Sequence, residues 1–130
     1  MAQIIKRKDK TMNKTATTLE QSRKLAEFLP IESADMQWIK TSDDDYPDAY
    51  RMGVLANPEL IEGDDIPSWS LSALLGALNK NFYPDLFHDG ESWNIKLTHH
   101  DYDYSWSKSN SDPIDAVCEL IELLNDKKLI

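Results

Sequence analysis

The sequence has little of what several classes of protein require. It contains one cysteine and four glycines among 130 residues. A single cysteine excludes an internal disulfide and a cysteine-built zinc site. The glycines form no phosphate-binding loop, which argues against nucleotide chemistry. The longest run without a charged residue, positions 66–79, holds 14 residues, whereas a membrane-spanning helix needs about 20.

The composition is typical of one folded domain. Hydrophobic residues make up 41% of the chain and charged residues 28%, which is too apolar for a disordered protein. We expect a flexible basic segment over residues 1–14 and a single domain over residues 15–130. The charges near the N-terminus are not followed by the apolar stretch of a secretory signal. A cytoplasmic location is therefore expected, and Met12 is a candidate for the translation start.

Charge is distributed unevenly along the chain. The formal net charge is −9. Residues 1–24 carry seven basic and two acidic residues, whereas the remainder carries seven basic and 21 acidic residues. An acidic body repels phosphate, so direct nucleic-acid binding is disfavoured. A basic protein is the partner that this charge favours.

Two apolar stripes at helical spacing predict the first two helices. The first helix covers about Thr18–Phe28 and ends before Pro30. Thr17 or Thr18 is its N-cap, and Thr17 with Glu20 forms a capping-box pattern. The second helix covers about Leu71–Leu78, with Ser68 or Ser70 as its N-cap.

The third predicted helix, Pro113–Asp126, has the clearest signals. Asp112 is a good N-cap, and Pro113 lies at the first helical position, where its missing N–H costs nothing. The residues at helical spacing predict a buried face made of Ile114, Val117, Cys118, Leu120, Ile121 and Leu124. Cys118 on this face is expected to pack as a small hydrophobic residue and not to act as a nucleophile.

Alternation of apolar and polar residues predicts two β-hairpins. The first joins Met36–Lys40 to about Tyr50–Leu55 through a long acidic loop. The second joins Trp93–Thr98 to Tyr102–Trp106 through a short turn at residues 99–101. Residues 57–67 and 79–91 are interpreted as irregular, and residues 108–111 as a polar linker.

The order of these elements is α-β-β-α-β-β-α. Hairpins without βαβ alternation are typical of the α+β class. We therefore expect one antiparallel sheet of about four strands, packed by about three helices on one of its faces.

Four parts of the sequence together resemble a known group of proteins. They are residues 17–25 (TTLEQSRKL), residues 67–75 (PSWSLSALL), Trp93, and residues 112–118 (DPIDAVC). In this order they resemble small uncharacterised proteins encoded by phages and mobile elements of gut anaerobic bacteria. The resemblance spans most of residues 15–129 and implies a small cytoplasmic protein of phage or prophage origin. It implies no catalytic or binding residue.

The cluster of His99, His100, Asp101 and Asp103 is the main candidate for a metal site. Imidazole and carboxylate groups suit zinc and other transition metals. Adjacent residues of a strand point to opposite faces, however, so the two histidines would not converge on one ion. A polar turn is the favoured interpretation, and the sequence predicts no metal and no cofactor. His88 and Asp89, before Gly90, are interpreted as a turn as well.

The acidic run Asp43, Asp44 and Asp45 is a candidate for ion or partner binding. Calcium takes six to eight oxygen ligands, but this run lacks the glycine and glutamate positions of an EF-hand loop. A solvated acidic loop is the favoured interpretation. If the run has a function, we expect it to contact a partner protein.

The second hairpin carries most of the aromatic side chains that could form an interface. These are Trp93, Tyr102, Tyr104 and Trp106. If they face the helices they are core, which the clean alternation favours. If they face solvent, tyrosine and tryptophan are the residue types that dominate binding surfaces. The sequence leaves a homodimer through this face open.

The function predicted from the sequence is that of a non-catalytic protein-binding accessory factor. It is based on the acidic body, the aromatic hairpin and the lack of a recognisable catalytic arrangement. One alternative is an acidic mimic of nucleic acid that inhibits a DNA-binding protein. Another is a small metal-dependent enzyme using the cluster from His99 to Asp103.

Overall fold

The computed structural model describes residues 14–41, 49–57, 61 and 63–130. Among these residues the chain forms three α-helices, a short 3₁₀ helix at Ile31–Ser33 and six β-strands. The helices are α1 (Leu19–Leu25), α2 (Leu71–Leu78) and α3 (Pro113–Asp126). The strands are β1 (Met36–Lys40), β2 (Tyr50–Val54), β3 (Ile66–Ser68), β4 (Phe82–His88), β5 (Trp93–His99) and β6 (Ser105–Asn110).

The strands form two antiparallel sheets of three strands each. Their orders are β2-β1-β3 and β4-β5-β6. The α+β class and both hairpins are therefore confirmed. The expectation of one sheet with about four strands is wrong, because β3 and β4 add one strand to each hairpin and the hairpins lie in separate sheets.

Strand β4 occupies a segment that was expected to be irregular, and Pro84 lies in its middle. The N–H of Asp89 donates to Ser92, and the N–H of His100 donates to Asn81. These two bonds lie just beyond the two ends of β4 and involve odd-numbered residues, 81 and 89. Because hydrogen-bonded residues alternate along an antiparallel strand, the backbone N–H groups of odd-numbered β4 residues point to β5 and those of even-numbered residues point outward. Pro84 therefore stands where a missing N–H breaks no bond within the sheet, as proline does on edge strands.

The second hairpin has a longer connection than predicted. Strand β6 begins at Ser105 and continues to Asn110, through residues that were interpreted as a linker. Trp106 pairs with Leu97 in the register of β5 and β6. Tyr102 and Tyr104, which were expected in the strand, lie instead in the connection over residues 100–104.

The helices α2 and α3 have the bounds that the sequence predicts, and their N-caps are Ser70 and Asp112. Helix α1 is shorter than predicted and ends at Leu25. Its capping box joins Thr18 to Gln21, not Thr17 to Glu20. Thr17 is therefore not the N-cap, and its side chain is buried in the interior.

One core joins the elements. Helix α3 packs on β5 and β6, α2 contacts both α3 and β4, and α1 lies against β3. All six residues of the predicted buried face of α3 are buried, Cys118 included. Trp69, Phe82, Ile95 and Leu97 fill the space between helices and strands. The solvent side of the β4-β5-β6 sheet stays uncovered, since the even-numbered residues of β5 alternate with buried Ile95 and Leu97.

Candidate functional site: an aromatic turn

The connection between β5 and β6 is closed by two backbone hydrogen bonds. The N–H of His99 donates to the carbonyl oxygen of Tyr104 at 3.0 Å, which fixes the end of the hairpin. The N–H of His100 donates to the carbonyl oxygen of Asn81, also at 3.0 Å, which ties the turn to the start of β4. The turn is therefore held from both neighbouring strands.

Five rings form a closed circuit of contacts at this end of the sheet. Phe82 meets His99 and Trp106 edge to face, with ring centroids 5.3 Å and 5.9 Å apart. Tyr102 links His99 to Tyr104 at 4.8 Å and 6.0 Å, and Tyr104 reaches Trp106 at 6.2 Å. We call these residues, Phe82, His99, Tyr102, Tyr104 and Trp106, the aromatic turn.

The aromatic turn has a buried base and an exposed rim. Phe82 is 2% exposed, whereas Tyr102 and Tyr104 are 61% and 63% exposed. Trp106 is half-buried and packs against the core. The favoured expectation that the aromatic hairpin is core is therefore wrong for the two tyrosines. They lie in the connection between β5 and β6, where side chains do not alternate between the two faces of a sheet.

Trp93 does not belong to this cluster. It begins β5, pairs with Asn110 and meets the ring of His88 at 5.1 Å. Trp93 lies four positions before Leu97 in β5, and Leu97 is the register partner of Trp106. Four positions of strand correspond to about 13 Å. The four aromatic residues grouped by the sequence thus occupy two ends of one sheet.

The two adjacent histidines serve different contacts. Nδ1 of His99 accepts a hydrogen bond from the N–H of Asp101 at 3.0 Å. Nε2 of His100 lies 3.0 Å from the carbonyl oxygen of Phe82, and its ring lies on that of Tyr83. Across the described residues no three histidine, cysteine, aspartate or glutamate side chains are grouped so that they could hold a metal ion. Asp101 and Asp103 are exposed residues of the same connection as Tyr102 and Tyr104.

The turn predicted at His88 and Asp89 begins one residue later, because His88 is the last residue of β4 and pairs with Trp93. Asp89 lies in the turn, and its carboxylate closes it. The backbone N–H groups of Ser92 and Glu91 each donate to this carboxylate at 2.9 Å, and the amide of Asn94 donates at 3.0 Å. These bonds, with Ser92 first, lower the pKa of Asp89 to about 2. The group is accounted for by the turn.

Two further candidates from the sequence, the acidic run and Cys118, form no site among the described residues. Asp43, Asp44 and Asp45 belong to the undescribed residues 42–48. Cys118 is 1% exposed, and its burial raises the pKa of the thiol to about 12. A thiol in that state is neither a nucleophile nor a metal ligand at neutral pH.

Sequence reasoning missed a row of carboxylates on α3. Asp115, Glu119, Glu122 and Asp126 follow one another at intervals of four, three and four residues, so they share one side of the helix. Asp115 pairs with Lys14, and Glu122 pairs with Lys24 at 2.7 Å. Lysines of the N-terminal part therefore neutralise half of this row.

A groove of about 720 Å³ opens beside the base of the aromatic turn. Its apolar lining comes from Phe28, Leu29, Leu78, Phe82 and Ile130. Phe82 therefore belongs to both the groove and the aromatic turn.

Comparison with known proteins adds no relative. No protein-family model matches the sequence, and neither the curated proteins nor the solved structures contain a significant match. Within the described ranges, no helix has the length and apolarity needed to cross a membrane.

Proposed function

We propose that this protein is a non-catalytic accessory factor of phage or mobile-element origin that binds another protein through the aromatic turn. The observation that carries the proposal is the exposure of Tyr102 and Tyr104. Each is more than half exposed, at 61% and 63%, yet each keeps ring contacts that lead to buried Phe82.

Ordered, exposed tyrosines favour binding because they lose little conformational freedom when a partner covers them. A tyrosine has few rotatable bonds and offers a large apolar surface with a polar tip. Residues of this type supply most of the energy of protein interfaces. The aromatic turn thus has the composition and the rigidity of a binding surface.

The charge around the turn favours a basic partner. Asp101 and Asp103 are exposed in the same connection as Tyr102 and Tyr104, and the whole chain carries a net charge of −9. Acidic surfaces speed association with basic ones, and that effect is screened by salt. We therefore expect the complex to weaken as the salt concentration rises.

The experiment is capture of partners from the natural host by the full chain and by a Tyr102→Ala, Tyr104→Ala variant. A matched control is Phe87→Ala, which removes an exposed ring far from the turn. The proposal expects one protein to bind the wild type and the control but not the double variant, with an affinity that falls at high salt. Equal capture by all three proteins, or no capture at low salt, contradicts it.

A homodimer through the same surface is tested separately. Size-exclusion chromatography with light scattering, at low and at high salt, gives the mass of the full chain in solution. A dimer that persists at high salt and is lost in the Tyr102→Ala, Tyr104→Ala variant assigns the surface to a second copy. A monomer under both conditions leaves the surface for another protein.

The row of carboxylates on α3 favours, as a second candidate, an acidic mimic of nucleic acid. Its steps along the helix are about 4.5–6 Å at a rise of about 1.5 Å per residue. The pairing of Asp115 and Glu122 with lysines counts against it. Competition with duplex DNA for a host nuclease or repressor tests this candidate, and a lack of displacement eliminates it.

A further inference from the structure

The uncovered side of the β4-β5-β6 sheet is a flat surface with cross-strand rows. Tyr83 of β4 pairs with Thr98 of β5, and Phe87 pairs with Asn94. Each row continues onto a serine of β6 within Ser105–Asn110. We call this surface, the side of the sheet that bears Tyr83 and Phe87, the outer face.

The outer face carries aromatic rings where polar residues are the rule. The solvent side of an antiparallel strand is ordinarily polar. Tyr83 and Phe87 are instead 63% and 46% exposed, and they lie four residues apart, about 13 Å along the strand. The ring of Tyr83 also packs beside that of His100, with the ring centroids 4.2 Å apart.

The middle row makes the outer face locally neutral. Asp85 of β4 and Lys96 of β5 are direct cross-strand partners, so their charges cancel. The remaining side chains of β5 and β6 on this face are uncharged hydroxyl and amide groups. On a chain with a net charge of −9, a neutral surface of this kind neither attracts a basic partner nor tolerates a phosphate backbone.

The size of the outer face excludes a protein-sized contact. Three strands of six or seven residues, about 4.8 Å apart, give roughly 300 Å². A stable interface between proteins needs about 800 Å² from each partner. The surface by itself is therefore too small for a second copy of the chain, and its occupant is a narrower, extended molecule.

We propose that the outer face binds a neutral linear oligosaccharide, with sugar rings stacked on Tyr83 and Phe87. The apolar side of a pyranose ring packs on an aromatic face, while its hydroxyl groups are both donors and acceptors. Thr98 stands between Tyr83 and a serine of β6, so its hydroxyl can hydrogen-bond the sugar hydroxyls. The amide of Asn94 donates to Asp89 and to the carbonyl oxygen of Ser92, so Asn94 offers the sugar its Oδ1 as an acceptor. This site is separate from the aromatic turn and does not depend on its function.

The test is titration of the ¹⁵N-labelled full chain with cellohexaose, xylohexaose, maltohexaose and chitohexaose, followed by NMR. We expect at least one of them to give saturable shifts that concentrate on the amides of Asn94, Lys96 and Thr98. Replacing either aromatic residue by threonine, which suits a strand, should weaken binding about tenfold or more. The conservative variants Tyr83→Phe and Phe87→Tyr should bind like the wild type.

Two controls separate this site from the other candidates. The Tyr102→Ala, Tyr104→Ala variant should bind the oligosaccharide unchanged, because its rings lie off the outer face. A thymidine oligonucleotide should give no shifts there. The proposal is overturned if none of the four oligosaccharides binds, if Tyr83→Thr and Phe87→Thr bind as well as the wild type, or if the oligonucleotide binds in their place.

Discussion

The hydroxyl oxygens of Thr17 and Ser68 lie 2.9 Å apart in the interior, although 51 positions separate the two residues in the sequence. Both residues are fully buried, and so is Ser22, whose hydroxyl lies 2.7 Å from that of Thr17. Three hydroxyl groups thus form a closed polar cluster where α1, its preceding segment and β3 meet.

Thr17 also binds the backbone and a tryptophan. Its hydroxyl accepts a hydrogen bond from the N–H of Trp69 at 3.2 Å, and its carbonyl oxygen accepts one from Nε1 of Trp38 at 3.1 Å. Buried polar groups stabilise a fold only when each finds a partner. The cluster therefore fixes the segment before α1 against the β2-β1-β3 sheet.

We expect Thr17→Val to destabilise the protein by about 1–3 kcal/mol, because the buried N–H of Trp69 and the two serine hydroxyls lose a partner. Urea unfolding followed by tryptophan fluorescence measures the change. Thr98→Val on the outer face is the matched control and should change the free energy of unfolding by less than about 0.5 kcal/mol. A Thr17→Val variant as stable as that control contradicts the role given to the cluster.

The sequence predicted best where signals are local. The bounds of α3 follow from Asp112, Pro113 and one apolar stripe, all within the helix itself. The bounds of α2 follow from a serine cap and four leucines. Such signals act through neighbouring residues, so they need no knowledge of the remaining chain.

The additional strands depend on distant partners, and the sequence did not reveal them. Strand β3 has three residues, one of them Pro67, and is defined by its register with β1. Strand β4 lacks alternation because Tyr83 and Phe87 replace polar residues on its solvent side. These two exposed aromatic residues, together with Pro84, are the reason that the strand was not predicted.

The candidate site was predicted in part. Tyr102, Tyr104 and Trp106 do come together, since they are near in sequence. The contribution of Phe82 required the register of β4 on β5, and the separation of Trp93 required the length of the turn. Thr17 was assigned to a helix cap because its buried partner Ser68 is remote in sequence.

Asp89 makes the stability of the protein depend on pH in the acidic range. Its pKa falls from 3.8 to about 2 in the folded chain, first through the N–H of Ser92 and then through that of Glu91. A lowered pKa contributes stability above the unfolded value and loses it as the pH falls towards the folded value. We expect Asp89→Asn to be less stable than the wild type at pH 7, with the difference shrinking between about pH 4 and pH 2.

Urea unfolding at several pH values from 7 to 2 measures that difference. Asp103→Asn removes the same charge from another turn and serves as the control. A constant difference between Asp89→Asn and the wild type across this range would mean that the pKa of Asp89 is the same in the folded and the unfolded chain, which contradicts the prediction.

Cys118 should be inert in the folded protein. Burial raises the pKa of its thiol to about 12, so a thiolate is scarce at pH 8 and the reagent has no access. We expect no reaction with a disulfide reagent at pH 8 in buffer and one thiol per chain in urea. Rapid labelling without denaturant would mean that α3 detaches from the sheet.

Two substitutions of Cys118 compare the cost of a small cavity with that of a buried hydroxyl group. Cys118→Ala leaves a small cavity, whereas Cys118→Ser places a hydroxyl among apolar neighbours. An unpaired buried hydroxyl costs about 1–3 kcal/mol. We therefore expect the serine variant to be the less stable of the two in urea unfolding, and the reverse order would show that the hydroxyl finds a partner.

Two glycines should respond to alanine in opposite directions. Gly76 lies on the exposed side of α2, and a β-carbon there would meet no atom within 4 Å. Glycine inside a helix costs about 0.5–1 kcal/mol relative to alanine, so Gly76→Ala should raise the free energy of unfolding by that amount.

Gly90 lies in the turn closed by Asp89 and has a φ of +99°, a backbone conformation that other residues rarely adopt. Gly90→Ala should therefore lower the free energy of unfolding by about 1–3 kcal/mol. Urea unfolding of both variants under one condition tests the pair. Loss of stability in Gly76→Ala would mean that the groove beside α2 closes on this position in solution, because an open helix face has room for the added methyl group.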